Sequence, residues 1–105
     1  MANTFTNRAT SSLDTSLYSL YTVQSNITTI VHAIYISNKN STDGNVDLVV
    51  NSGSNDYYIC KNLDIPNNST VVFEKPINLL SGNILKAKSS VAGSFDIFVS
   101  LLEIS

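Results

Sequence analysis

Hydrophobic and polar residues alternate in short runs along most of this chain, and turn-forming residues separate the runs. Valine, isoleucine, tyrosine and phenylalanine are frequent in the runs, whereas glycine, asparagine, serine and proline fill the gaps. Short runs that recur about every 8–12 residues are typical of an all-β sandwich or barrel. No segment carries an uninterrupted apolar stripe of helical period, so we predict no substantial helix. The pattern predicts seven strands, over 17–23, 27–37, 45–51, 56–62, 70–75, 84–90 and 94–104.

The chain has 105 residues, a length that suits one domain with a modest core. We predict a single-domain antiparallel β-sandwich of jelly-roll type with about seven to eight strands. Residues 1–16 are polar and weakly patterned, so we predict an extended N-terminal arm there and the sandwich domain over 17–105. Phe5 and Leu13 are the isolated apolar residues of the arm, and Phe5 is its predicted anchor.

The two longest predicted strands, 27–37 and 94–104, carry apolar residues in both alternating phases. A sandwich strand with one solvated face carries them in one phase only. Because the chain is short, we expect a second subunit to cover part of the outward face. The residues predicted to lie in the core or in a subunit contact, besides Phe5 and Leu13 of the arm, are Leu17, Tyr21, Tyr35, Phe95 and Phe98.

Charge and composition argue against several classes of function. Charged residues make up 13% of the chain and the net charge is −2, whereas nucleic-acid binding needs a concentrated basic face. No apolar run approaches the roughly 18 residues of a membrane-spanning helix, and the N-terminal segment lacks the apolar stretch of a secretory signal. Cys60 is the single cysteine, which rules out an intrachain disulfide, and its apolar neighbours predict a buried thiol.

Residues that could carry catalysis or bind a metal are scattered along the chain. His32 is the only histidine and has no local partner for a metal site or a triad, so we predict a structural role for it. Segment 37–47 is rich in asparagine and aspartate but lacks the register of a calcium loop, and a hairpin turn at Asp43-Gly44 explains its composition. We predict no enzymatic activity, no cofactor and no metal. Glycan binding stays open as an alternative through the tyrosines Tyr18, Tyr21, Tyr35, Tyr57 and Tyr58.

Segments 20–40, 56–90 and 92–105 share a pattern of strand and turn residues with a known group of proteins. The matching residues are Tyr21, Thr22, Val23, Ile30, Val31, Tyr57, Lys61, Asn62, Ile65, Pro66, Ser69, Ile77, Leu79, Gly82, Ser89, Ser100, Leu102, Glu103 and Ile104. In this pattern the chain resembles small β-sandwich virion proteins of tailed bacteriophages. It departs from them at Asn67 and Asn68, where the group often has Ala-Gly, and asparagine can serve the same turn.

The resemblance implies a non-enzymatic structural protein of the virion, assembled in the host cytoplasm, with no catalytic residues to carry over. Among positions in the virion we favour capsid decoration (cement), with the protein docked as a homo-oligomer, a trimer being favoured, on the major capsid protein. A neck or tail structural protein is one alternative, and a receptor- or glycan-binding module of a tail fibre is another. Neither nucleic acid nor a membrane is an expected partner.

Overall fold

The computed structural model describes residues 2–105, and these residues form β-strands without any helix. The seven strands predicted from the sequence are all present, with ends that differ by a few residues. The strands are β1 (Asn3–Thr10), β2 (Tyr18–Thr22), β3 (Thr28–Asn38), β4 (Gly44–Ser52), β5 (Asn55–Ile65), β6 (Thr70–Phe73), β7 (Ile77–Leu79), β8 (Ile84–Ser89) and β9 (Phe95–Ile104).

The strands form two antiparallel sheets, and the predicted single-domain β-sandwich is confirmed. Sheet A has the order β1-β9-β3-β6, with the short strand β7 also paired to β3. Sheet B has the order β2-β8-β4-β5. With β7 set aside, the chain crosses to the other sheet at every connection except the β4-β5 hairpin. This interleaved order is that of a jelly roll.

The core lies between the sheets, and in β8 and β9 it is built from one phase of each strand. In β9 the inward residues Phe95, Ile97, Val99 and Leu101 are all buried, and the residues between them are more exposed. Strand β8 shows the same alternation, with Leu85 buried on the opposite side of the core. A period of two is what the pleat of a strand imposes on a chain with one buried face.

Most of the segment predicted as an arm belongs to the sandwich. Strand β1 pairs with β9 from Asn3 opposite Ile104 to Thr10 opposite Ile97, without a register shift. Leu13, which follows β1, is buried, and its N–H donates a hydrogen bond of 2.8 Å to the carbonyl of Phe95. The predicted boundary at residue 17 therefore cuts through a continuous fold. Residue 1 of the predicted arm lies outside the described residues.

A β-bulge in β3 accounts for part of the two-phase apolar pattern. The register of β3 against β9 shifts between Val31 and Ala33. Val31 points into the core before the shift, and Ile34 and Ile36 point into it afterwards. Because the bulge changes the inward phase, this part of the pattern requires no second subunit. The second phase of β9, where the register with β1 is regular, faces outward.

Candidate interaction surface

The outward side of sheet A carries its apolar side chains in two rows that run across the strands. Residues directly opposite each other in an antiparallel pair share a face, so the register defines the rows. The first row is Phe5, Leu102 and Ile30, and the second is Ala9, Phe98, Tyr35 and Val72. We use the name sheet A face for these two rows together with the outward residues around them. These residues are Asn3, Asn7, Thr28, Ala33, Ser37, Thr70, Asn78, Asp96, Ser100 and Ile104.

Large apolar side chains on the sheet A face are open to solvent. Phe5 is 77% exposed, and Tyr35 and Phe98 are 43% and 42% exposed. The rings of Tyr35 and Phe98 lie edge to face, with centroids 6.3 Å apart and planes inclined at 64°. Large exposed apolar side chains that cluster on one face of a protein are a feature of interaction sites. The sheet A face is therefore the candidate interaction surface of the chain.

Asp96 is the one charged residue of the sheet A face, and the chain itself neutralises it. Its carboxylate lies 2.9 Å from the ammonium of Lys39. It also accepts hydrogen bonds from the hydroxyl of Ser11 at 3.1 Å and from the N–H of Ser12 at 3.0 Å. The hydrogen bond from Lys39, followed by that from Ser12, holds the pKa of Asp96 below its usual value. A partner that covers the face therefore meets no uncompensated charge there.

A shallow cavity of about 270 Å³ lies between the second row and Asp96. Phe98 and Tyr35 give it an apolar side, whereas Ser37 and Asp96 give it a polar one. An apolar centre with a polar rim is the usual anatomy of a protein–protein contact. Its complete lining is Ala9, Thr10, Ser11, Tyr35, Ser37, Asp96, Ile97 and Phe98.

The outward side of sheet B is charged and differs from the sheet A face. The Asp47 side chain, 5% exposed, lies 3.8 Å from the ammonium of Lys88 and 3.9 Å from that of Lys61. Its second oxygen accepts a hydrogen bond of 2.7 Å from the N–H of Asn62. The ammonium of Lys61 also lies 4.9 Å from the centre of the Tyr58 ring. Charges and paired polar groups of this kind suit a side that stays in water.

A cavity of about 290 Å³ lies beside Asp47 on this charged side. Its two lysines could attract an anion, but the Asp47 carboxylate already occupies the space between them and repels a second negative charge. The cavity therefore has weak chemical selectivity. It is lined by Thr15, Asn45, Asp47, Lys61, Asn62, Lys88, Ser89 and Ser90.

The structure divides the seven residues predicted to lie in the core or in a subunit contact. Leu13, Tyr21 and Phe95 are buried within the chain and belong to its core. Phe5, Leu17, Tyr35 and Phe98 are exposed, and all of these except Leu17 lie on the sheet A face. Ile30, Leu102 and Val72 of that face were not among the predicted contact residues. For Ile30 and Leu102, the signal in the sequence was the second apolar phase of their strands.

His32 and Cys60 show no arrangement for chemistry. His32 is exposed at the bulge of β3, and Cys60 is half-buried against the core rather than fully buried. Burial raises the pKa of the Cys60 thiol, which lowers its thiolate fraction and its reactivity. Within residues 2–105, no three His, Cys, Asp or Glu side chains come together in a way that could hold a metal ion. The same residues contain no helix that is long and apolar enough to cross a membrane.

Comparison with known proteins assigns the chain to no family. The chain matches no protein-family model and no curated protein.

Proposed function

We propose that the chain is a non-enzymatic structural subunit of a bacteriophage particle. In this proposal it is a capsid decoration (cement) protein that docks as a homo-oligomer on the major capsid protein. The sequence motifs quoted above support the phage origin, and the sheet A face carries the proposed role in assembly. Jelly rolls occur in viral capsid proteins and also in lectins. The fold is therefore compatible with the proposal but does not distinguish it from other functions.

Contact between the subunits of the homo-oligomer would work through surface complementarity of the sheet A face, and the other surfaces of the oligomer would meet the capsid. The two apolar rows would leave water on contact, at a gain of about 25 cal/mol for each Å² of apolar surface that is covered. Serine, threonine and asparagine side chains around the rows would supply hydrogen bonds at the rim. The charged outward side of sheet B would stay outside this contact. This division of roles fits a small subunit that is added to a larger assembly.

Particles of the phage that encodes the chain provide the test. We expect mass spectrometry of purified particles to find the chain in many copies per particle. Antibodies raised against the purified chain should label the capsid shell in electron micrographs. Label confined to the neck or tail would replace capsid decoration with the neck or tail alternative. Particles that lack the chain altogether would overturn the proposal.

Exposed tyrosines on β5 favour a receptor- or glycan-binding module as the second candidate. Tyr57 and Tyr58 are 57% and 47% exposed, next to a hydrogen bond of 2.7 Å from Asn51 to Asp56. Consecutive residues of a strand point to opposite faces, so the two rings do not form one stacking platform. Saturable binding on a glycan array that is lost in Tyr57→Ala or Tyr58→Ala would support this candidate. A chain that binds none of the glycans would remove it.

A further inference from the structure

We propose that the sheet A face pairs with the same face of a second copy of this chain. The inference rests on the proposed function in assigning this face to assembly, and it adds the identity of the occupant. Two sandwiches would stack through their A sheets, so that four sheets lie in layers and both B sheets face outward.

Charge favours this pairing over one through sheet B. A contact between identical faces has two-fold symmetry and brings like groups close together, so an unpaired charge repels its own copy. On the sheet A face the one charged residue, Asp96, is neutralised by Lys39 and lies in the outermost row. On the outward side of sheet B, Lys61 and Lys88 share the single carboxylate of Asp47, so one positive charge would be left to face its own copy.

The area of the face is that of a small specific interface. Strands β1, β9 and β3 have 8, 10 and 11 residues, and the short strands β6 and β7 share the far side of β3 with 4 and 3 residues. With strands about 4.8 Å apart and a rise of about 3.3 Å per residue, the face covers roughly 20 by 30 Å. Each copy thus contributes roughly 600 Å², and a pair buries about 1,200 Å², the lower limit for specific protein interfaces. Two sheets of equal twist stack about 10 Å apart with strands rotated by about 30°, so a second copy has the right shape.

The pairing places Ser100 near the symmetry axis. Ser100 lies on β9 between the two apolar rows, with Phe98 and Leu102 two residues away on either side. Overlap of the two faces is greatest when the two-fold axis lies between the sheets above this central position. Each apolar row then contacts an apolar row of the other copy. The resulting assembly is a dimer, in contrast to the trimer that the sequence analysis favours.

Sedimentation equilibrium on the purified chain tests the stoichiometry. We expect a reversible monomer–dimer equilibrium in the micromolar to submillimolar range. Phe98→Lys should weaken it by about tenfold or more, because it places a like charge in both copies of an apolar row. Tyr57→Lys changes an aromatic residue of comparable exposure on β5 and should leave the equilibrium unchanged. A chain that stays monomeric, a trimer, or equal weakening by both variants would overturn the inference.

Chemical crosslinking tests the geometry independently of affinity. In a Cys60→Ser background, Ser100→Cys should be joined to its copy by a short bismaleimide, because sheets that stack about 10 Å apart hold the two thiols beyond the reach of a disulfide. Ser19→Cys, which changes an exposed serine on β2 of sheet B, should not. Circular dichroism of each variant establishes that it is folded. Folded Ser100→Cys protein that crosslinks no faster than Ser19→Cys would overturn the face-to-face arrangement.

The pairing and the proposed function fail in different ways. A monomer found on phage capsids would remove the pairing and leave the capsid role in place. A dimer through the sheet A face that is missing from phage particles would support the pairing and remove the proposed function.

Discussion

The hydroxyl of Tyr21, on β2 of sheet B, donates a hydrogen bond to the carboxylate of Glu103, on β9 of sheet A. The same oxygen is 2.8 Å from the hydroxyl of Thr29, which is buried on β3. One tyrosine thus joins the two sheets through polar contacts, of which that with Thr29 is buried. The Arg8 guanidinium lies 5.2 Å from the centre of its ring, so β1 also contacts this group.

Tyr21→Phe should lower the free energy of unfolding by about 1–3 kcal/mol, because it leaves the buried Thr29 hydroxyl and the Glu103 carboxylate without their shared partner. Urea denaturation measures the change. Tyr57→Phe removes the hydroxyl of an exposed tyrosine, and its effect should stay within about 0.5 kcal/mol. Equal effects of the two substitutions would show that the contact between the sheets contributes nothing specific.

Alkaline pH should weaken the fold through the same tyrosine. Burial, followed by the hydrogen bond to Glu103, raises the pKa of Tyr21 above the ordinary value of 10.0. A group whose pKa is raised on folding contributes stability in full below its unfolded pKa and loses it as the pH rises through the folded value. We expect urea midpoints of the natural chain to fall above pH 10.0, and Tyr21→Phe to lose part of this dependence. An unchanged alkaline profile in Tyr21→Phe would contradict the assignment.

Acid should weaken the turn between β1 and β2 through Asp96. Lys39 and the N–H of Ser12 hold the pKa of Asp96 below its ordinary value of 3.8. The stability that this carboxylate contributes is therefore present above pH 3.8 and is lost as the pH falls through the lowered folded pKa. Asp96 is about half exposed, so the contribution should stay below about 1 kcal/mol. Asp96→Asn should make the free energy of unfolding depend less on pH in the acid range. Asp56→Asn, which removes a carboxylate from sheet B, is the control.

Most of the strands that the sequence revealed have one buried face, although β5, an edge strand that is largely exposed, was also predicted. Apolar alternation located β9 and β8 because Phe95 and Leu85 point into the core and their neighbours do not. Strand β1 was missed since it is an edge strand whose polar residues are mostly exposed on both sides, so it has no apolar phase. The bulge at His32 was also invisible, because only the pairing of β3 with β9 shows where the inward phase changes.

The candidate surface was only partly predictable for a similar reason. Tyr35 and Phe98 were predicted to lie in the core or in a subunit contact, but their alignment in one row depends on the register across sheet A. Phe5 was recognised as an anchor, and its place beside Leu102 depends on the pairing of β1 with β9. The alternation of residues along a strand predicts on which side of the sheet each side chain lies. Its neighbours on adjacent strands depend on the strand register, which only the tertiary structure shows.

Gly44→Ala should destabilise the sandwich by about 1–3 kcal/mol through overpacking. A Cβ at Gly44 would lie 2.9 Å from Cζ and 3.0 Å from Cε2 of the buried Phe95 ring. Phe95→Leu removes those ring atoms, so the cost of Gly44→Ala should fall in that background. A double-mutant cycle measured by urea denaturation gives the coupling. Strictly additive effects would show that the glycine is not required by the Phe95 ring.

Removal of residues 2–10 should leave a folded chain that associates through its newly exposed edge. None of the residues of β1 is buried, so the core between the sheets keeps its apolar members. The loss of β1 frees the backbone groups of β9 that pair with it, and an open edge of this length promotes pairing with other chains. We expect cooperative urea unfolding at a lower midpoint, together with concentration-dependent light scattering. Phe5→Thr keeps the β1 backbone in place and should not produce that scattering. A truncated chain that has lost cooperative unfolding would show instead that β1 is required for the jelly roll to fold.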